Sequence, residues 1–300
     1  MVTNNLVLIP GGGGVGRAVF VKLRAQNVPV RFMVRREDER AAELKGLGAE
    51  VVIGDLTRPE TVAAALQDVG RMFFAMAVSP DHLLAATVVA SVAKEYGKLE
   101  ALVDLSQMTV SQMTATSTEE SHQQRLHCLA EQVLNWSGLP VVHVRPTVFL
   151  DTPLFTTMAA RSIRENGTIA LPFGSGRTSP VAVDDVARVV ATVLHNPAPH
   201  IGHIYELTGP RSVDMTELAT AFTRALDRPV TYVNVPLDRW QAGLSKLGLP
   251  PHTEQHVATM AKLHRDNRYD RTADGVERVT GIPPQSIEAF VAARRDFYLG

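Results

Sequence analysis

Apolar residues in the first half of the chain fall in short, nearly unbroken runs: Leu6–Ile9, Val30–Val34, Glu50–Ile53, Met72–Val78, Ala101–Ser106 and Pro140–Val144. Between them, around Arg17–Gln26, Arg40–Leu47, Pro59–Asp68, Leu83–Tyr96 and Glu119–Trp136, apolar positions recur at helical spacing. Strands without polar alternation are covered on both faces, and strands that alternate with helices form a parallel sheet. Right-handed crossovers make that sheet doubly wound. The predicted class is therefore α/β, and ligand is expected outside the carboxyl ends of the strands.

The second half changes character. Thr152–Asn166 reads as a helix, Thr168–Gly174 as a short strand and turn, and Val183–Val190 as the start of a helix with Asp184 or Asp185 near its N-cap. His203–Leu207 and Val230–Val235 read as strands, Met215–Leu226 as a helix, and the tail from Leu237 as mostly helical. The pattern predicts a ligand-binding domain over 1–150, with 178–207 returning to it. Segments 151–177 and 208–300 are expected to form a smaller, mostly helical C-terminal lobe for substrate or partner.

Behind the first run the chain reads Pro10-Gly11-Gly12-Gly13-Gly14-Val15-Gly16, and a helical pattern starts at Gly14. Gly11, Gly13 and Gly16 satisfy G-x-G-x-x-G between a strand and a helix, the context that gives the motif meaning. One glycine makes the turn, one lets a pyrophosphate approach the backbone, and one lets the helix pack on the strand. Amides at the helix start then face the anion, and the dipole adds about 0.3–1 kcal/mol. Gly11, Gly12, Gly13, Gly14, Val15 and Gly16 are thus expected to hold a dinucleotide in a Rossmann-type domain.

A cofactor without a 2′-phosphate usually meets an acidic residue at the end of the second strand. Here Arg35 and Arg36 come first, then Glu37 and Asp38. The arginine fork suits phosphate, and such a charged hydrogen bond contributes about 1.5–3 kcal/mol. Arg35 and Arg36 predict NADP(H), with NAD(H) as second choice. The competing reading leaves both arginines in solvent and gives the ribose to Glu37 or Asp38.

The later strand ends extend the site. Asp55, before Leu56, is placed to accept from an adenine amino group or to cap the helix near Pro59. Ala75, Met76 and Ala77 are small enough for close approach, or are core. Ser106 follows the fifth strand, as a catalytic candidate or bonded only to its own turn. Pro146, Val148 and Phe149 follow the sixth, beside the expected nicotinamide.

Composition removes alternatives. With 300 residues, 45% of them hydrophobic and 20% charged, the chain can bury one large core or a core plus a lobe. A formal net charge of −1 gives no electrostatic case for nucleic acid or a membrane surface. The single cysteine, Cys128, excludes an intrachain disulfide and a cysteine metal cluster. Signal-peptide regions and long apolar runs are absent from the sequence, so the expected location is the cytoplasm.

These landmarks resemble the NmrA-like family of the atypical short-chain dehydrogenase/reductase superfamily. The resemblance rests on the glycine loop, Gly54-Asp55-Leu56, Leu129–Leu134 leading to Ser137-Gly138-Leu139-Pro140, Arg145-Pro146-Thr147, Val183–Ala187 and Tyr205–Pro210. It implies a Rossmann domain with a small C-terminal lobe. It also implies one of two activities: NADPH-dependent reduction of quinones, dyes or other electrophiles, or dinucleotide binding without turnover in a redox-sensing regulator. A small-molecule electrophile is then the expected partner, with a homodimer or a regulatory protein also open.

Two departures matter. The first glycine of the family's Gly-x-x-Gly-x-x-Gly falls on Pro10, so Gly11 is expected to take over the turn. The superfamily's Tyr-x-x-x-Lys positions hold Gln123 and His127, and many NmrA-like proteins lack the tyrosine but keep the lysine. Gln123, His127 and Glu131 share one helix face. His127 either contacts the nicotinamide ribose or gives a proton, or it is a partly exposed histidine paired with Glu131. In the tail, His252, His256 and His264 do not make H-E-x-x-H, and no metal is expected. Phe149, Phe155, Phe173 and Trp240 are candidates for an apolar substrate wall, or for core.

Overall fold

The computed structural model describes residues 5–11 and 13–300. The apolar runs become β1 (Val7–Pro10), β2 (Val30–Val34), β3 (Glu50–Ile53), β4 (Arg71–Phe74), β5 (Ala101–Leu105) and β6 (Val141–Pro146). They are joined in turn by α1 (Gly14–Ala25), α2 (Glu39–Gly46), α3 (Pro59–Ala65), α4 (His82–Tyr96) and α5 (His122–Trp136). There follow α6 (Thr157–Asn166), β7 (Thr168–Leu171), α7 (Val183–His195), β8 (Ile204–Leu207), α8 (Met215–Leu226) and β9 (Thr231–Asn234). The tail contributes α9 (Leu237–Leu244), α10 (Pro251–Arg265), α11 (Gly275–Thr280), α12 (Ile287–Ala292) and α13 (Arg295–Leu299).

The main sheet has the order β3-β2-β1-β4-β5-β6-β8, and β1 pairs in parallel with both β2 and β4. Strand order therefore reverses at the carboxyl end of β1, the position where open α/β sheets leave a crevice. Two arginines near the starts of strands complete helix ends. Arg31 donates to the carbonyls of Ala65 and Gln67 at the end of α3, and Arg71 donates to Leu194 and His195 at the end of α7. Each cation satisfies orphan carbonyls and sits at the negative end of a helix dipole.

Two compact units divide the chain. Unit 1 takes residues 1–117, Gln123–Arg145 and Val186–Tyr205, and unit 2 takes Thr118–His122, Pro146–Asp185 and Glu206–Gly300. Unit 2 has its own core, built from Phe155, Phe173, Phe222, Phe290 and Tyr298 among others, and a two-stranded parallel sheet of β7 and β9. Among the described residues, no helix is long and apolar enough to cross a membrane.

Several expected boundaries shift. The second unit is the smaller of the two, as expected, though it takes close to half of the chain. The return to unit 1 covers 186–205, not 178–207, because Thr178 pairs with Val213 and Val181 with Phe149 inside unit 2. β4 stops at Phe74, opposite Asp104 of β5, so Ala75–Val78 form a loop rather than strand. α6 begins at Thr157, not Thr152, because the Thr152 carbonyl closes a tight turn onto the amides of Phe155 and Thr156. α5 begins at His122, not Glu119. Glu120 is drawn instead to Arg268 and Ser121 to His256.

Candidate functional site

The glycine loop fits an anion. Gly11 has φ +72°, a left-handed conformation that glycine adopts without strain, and its amide donates to the Met33 carbonyl (2.8 Å). It makes the turn that Pro10, the last residue of β1, cannot make. A Cβ on Gly16 would lie 3.2 Å from both the Gly11 carbonyl oxygen and Ile9 Cγ2, so this glycine lets α1 sit close on β1. Gly13 differs: its φ of −107° and ψ of 164° suit any residue, and a Cβ there would meet no protein atom within 4 Å. Within the protein nothing requires glycine at Gly13, and its bare backbone leaves room for a group from outside. The start of α1 carries neither a side-chain cap nor an acidic residue, so amides near the exposed Gly14 and half-buried Val15 are left for an anion. Gly12 lies outside the described residues.

The adenosine-side candidates stand at the ends of β2 and β3. Arg35 is two-thirds exposed and 3.7 Å from the Asp55 carboxylate. Asp55 accepts from the Thr57 amide (2.9 Å) and hydroxyl (2.8 Å), and the amide bond foremost holds its carboxyl below the usual range. Arg36 rests on Asp38 (3.4 Å), while Asp38 caps α2 through the amides of Arg40 and Ala41. Glu37 pairs with Lys45. Sequence reasoning missed Arg17, on the second turn of α1, which pairs with Glu43 of α2. Leu56 is buried in the apolar cluster with Met33 and Val62, so its side chain packs the core rather than facing the crevice. Ala75 and Met76 are half-buried and Ala77 is exposed.

On α5 the expected face is buried and meets the sheet in rungs. Four helical residues advance about 6 Å, and two strand residues about 6.6 Å, so side chains spaced by four and by two stay in step. Asn135 Oδ1 meets His143 Nε2 (3.0 Å), and His143 Nδ1 meets Asp104 Oδ2 (2.8 Å). Burial pushes the Asp104 carboxyl up, and the His143 bond opposes that. One step nearer the carboxyl edge, Arg145 grips Glu131 through two hydrogen bonds. Next, the His127 ring lies 4.0 Å from that of His82, tilted 44°. Last, Gln123 Oε1 accepts from the Ser79 amide (3.1 Å). Both carboxylate oxygens of Glu131 are engaged by Arg145.

Sequence reasoning also missed His82, the first residue of α4. It is fully buried, and neither ring nitrogen has a hydrogen-bond partner. Burial lowers its pKa to about 4. Ser106 Oγ, beyond β5, and Thr109 Oγ1, in the short turn Met108–Gln112, are likewise buried without a partner. His82 carries no pattern in the sequence beyond standing near a strand end.

Asp104, Glu131 and His143 hold possible ligand atoms within 4.8 Å of one another. The Arg145 fork on Glu131 and the bonds at both His143 nitrogens already use these groups, which makes the cluster a brace between α5 and the sheet.

Unit 2 holds the remaining candidates. Pro146 is buried where β6 ends, and Phe149 is half-buried and bridged to Val181. Val148, Phe155 and Phe173 are core residues. Phe173 is stacked on His264 at 4.0 Å, so it is not an open substrate wall. Trp240 is half-buried on the same core. Beside it, a cavity of about 330 Å³ lies between α9 and α10, lined by Gln241, Leu244, Pro251, Glu254, Gln255 and Ala258. His256 meets Ser121 Oγ through Nδ1 (2.8 Å), and burial lowers its pKa to about 4.

Comparison with known proteins agrees with the fold and the loop. NAD(P)H azoreductase of Xenophilus azovorans is 28% identical over 291 residues, 96% of this chain and 97% of that protein. An Escherichia coli NADPH-dependent quinone oxidoreductase, solved with NADPH, superposes with a TM-score of 0.82 at 22% identity, over 96% of this chain and 99% of its own. NmrA, a negative transcriptional regulator solved with NADP, gives 0.79 at 16% identity, over 97% and 95% of the two chains. Both structures show the shared fold. The NAD(P)H-binding family matches residues 11–197, from the glycine loop to the turn after α7. That span is well over half of the sequence, and the chain belongs to the NAD(P)H-binding family.

Proposed function

We propose that this chain is an NADPH-dependent reductase that passes hydride directly to a quinone or another conjugated electrophile. The observation that carries the reading is the state of the two positions on α5 where the superfamily resemblance puts tyrosine and lysine. Gln123 has its carbonyl oxygen committed to the Ser79 amide, and the His127 ring lies tilted against His82. Neither is a phenol held acidic by a neighbouring ammonium. An acceptor that disperses the arriving charge over a conjugated system needs no strong acid at the hydride step, whereas simple alcohol or sugar chemistry does.

The roles follow from position. The loop Gly11–Gly16, including Gly12, cradles the pyrophosphate. Arg35 and Arg36 take the 2′-phosphate and set the preference for NADP(H). Asp55, kept ionised, takes adenine, and the backbone at Ala75, Met76, Ala77 and Leu56 lines its approach. Pro146, Val148 and Phe149 seat the nicotinamide, which supplies the hydride when bound. His127 holds the adjoining ribose or gives the product its proton, with Ser106 beside the reacting atoms. Phe173 is core, and Trp240 is the remaining aromatic candidate for a flat substrate. The azoreductase relative, similar over nearly the whole chain, supports a conjugated acceptor.

A second reading, a dinucleotide sensor without turnover, draws on the same two positions and on the fold shared with NmrA. Absorbance-monitored NADPH oxidation against quinones, azo dyes and conjugated aldehydes tests the choice, with binding of NADPH, NADP, NADH and NAD measured alongside. Steady turnover with one acceptor class is the expected result. Tight NADP(H) binding with no turnover on any acceptor transfers the function to sensing.

A further inference from the structure

The sequence puts His252 and His256 one helical turn apart on α10, with no further ligand beside them. The fold brings a third histidine from far off in the chain. His122, the first residue of α5, has its ring 6.4 Å from that of His252, with 35° between the planes. Two contacts pin this stretch to α10. The His122 amide donates to Gln255 Oε1 (3.1 Å), and Ser121 Oγ meets His256 Nδ1 (2.8 Å). The three rings act on one another in a row. Burial foremost lowers the pKa of His252 and of His256, and His122 adds to the first shift as His252 adds to the second.

This row has the chemistry of a transition-metal site. Neutral imidazole is a common ligand of zinc, copper and nickel ions. Residues at i and i+4 share a helix face, so His252 and His256 can hold one ion between them. With Nδ1 donated to Ser121 Oγ, His256 presents the lone pair of Nε2, and an oxygen partner on the far nitrogen is how proteins orient a metal-binding ring. His122 is exposed, His252 is half-buried and His256 keeps 8% of its surface, so the group is open to an ion from solvent. Glu254, between the two histidines of α10, bonds to Ser245 Oγ. That leaves three nitrogen donors and a fourth place for water, a set that favours zinc-like ions over magnesium or calcium. Zinc–nitrogen bonds of about 2.0–2.1 Å at tetrahedral angles bring two ring centres to about 5 Å. A turn of the exposed His122 side chain covers the difference.

We propose that His122, His252 and His256 form a three-histidine site for a divalent transition-metal ion of zinc-like chemistry. The ion clips the segment ahead of α5 to α10. The site stands apart from the reductase reading and does not depend on it.

Calorimetric titration of the untagged full chain with Zn²⁺, after treatment with a chelator, tests the site. The parent is expected to bind one equivalent. His122→Ala and His252→Ala should each weaken that binding at least tenfold, no less than the loss of an outer-shell partner does. Absence of saturable binding by the parent overturns the site. Unchanged affinity in His122→Ala does so too, because the two histidines of α10 then bind the ion alone, and unchanged affinity in His252→Ala removes the pair itself. His122 is exposed, so its replacement leaves the fold standing. A second readout is the thermal midpoint. An ion held between segments far apart in the chain binds the folded state and not the unfolded one, so Zn²⁺ should raise the midpoint of the parent more than that of His122→Ala. An equal rise in both overturns the clip.

Discussion

Acidification should unfold this protein well above the range where its carboxylates titrate, and His264 shows why. Its ring is sandwiched between Phe173 (4.0 Å, 6° between planes) and Tyr269 (4.1 Å, 23°). Nδ1 donates to the Met260 carbonyl (2.8 Å), and Nε2 is buried without a partner. Burial pushes its pKa from 6.5 down to about 4. The folded state therefore keeps the ring neutral while the unfolded chain takes up a proton below pH 6.5. Stability is complete above that value and falls as pH drops towards 4. At pH 5 the difference in proton uptake is a factor of about 30, or about 2 kcal/mol for this one residue. His82 and His256, also lowered to about 4, add similar amounts, so the three together remove about 6 kcal/mol, a large share of an ordinary domain's stability.

The assay is urea unfolding at pH 7.5 and pH 5.0, on the parent and on His264→Phe. The variant keeps a flat ring in the sandwich and loses the bond to Met260, so its stability at pH 7.5 is expected to fall by about 1 kcal/mol. The informative quantity is the loss between the two pH values, which should shrink by about 2 kcal/mol in the variant. An equal loss in both proteins refutes the assignment, because the ring would then not be the group that takes the proton.

Other perturbations separate cofactor binding from folding. Gly13→Ala should leave the thermal midpoint within a degree or two and weaken NADPH at least tenfold in a fluorescence titration, because its Cβ meets no protein atom. Gly16→Ala should lower the midpoint itself, since its Cβ lies 3.2 Å from the Gly11 carbonyl and Ile9. Arg35→Ala should cut the ratio of NADPH to NADH affinity by about 10- to 100-fold, the equivalent of one charged hydrogen bond; an unchanged ratio ends the role of Arg35 in selectivity. Glu131→Gln should destabilise by about 3–5 kcal/mol in urea unfolding, because it removes the carboxylate charge that faces the Arg145 guanidinium. A companion Glu131→Leu/Arg145→Met double variant should recover most of that loss.

The sheet was legible because parallel strands covered on both faces are mostly apolar: every residue of β1 and β4 is buried, and Arg71 is the one charged residue among them. The same signal misplaced the end of β4. Ala75–Val78 continue the apolar run, and only the register with β5 shows that pairing has stopped at Phe74. Glu119–Ser121 scored as helix by composition, yet Glu120 and Ser121 answer to Arg268 and His256, more than 130 residues away in the chain. No local pattern encodes such partners. The glycine loop was readable because its constraint is local: a turn, a close approach and a helix start within six residues. His82 was not, because its interest lies in what its nitrogens lack, a property of the folded surroundings alone.

The rungs on α5 fix where Gln123 and His127 stand, the two positions where the resemblance puts tyrosine and lysine. A buried ion pair such as Glu131–Arg145 is close to neutral for stability, so it is not there chiefly to hold the fold. Its effect is on register. Sliding α5 by one turn would leave Glu131, Arg145, Asp104 and His143 facing the wrong neighbours, each a buried and unpaired group. The two inner rungs thus set where the outer half of the same helix face stands. At the inner end most donors and acceptors are used up. At the outer end, where the strands stop, His82 and Ser106 are not. Asp104 Oδ1 is the exception at the inner end, buried without a partner.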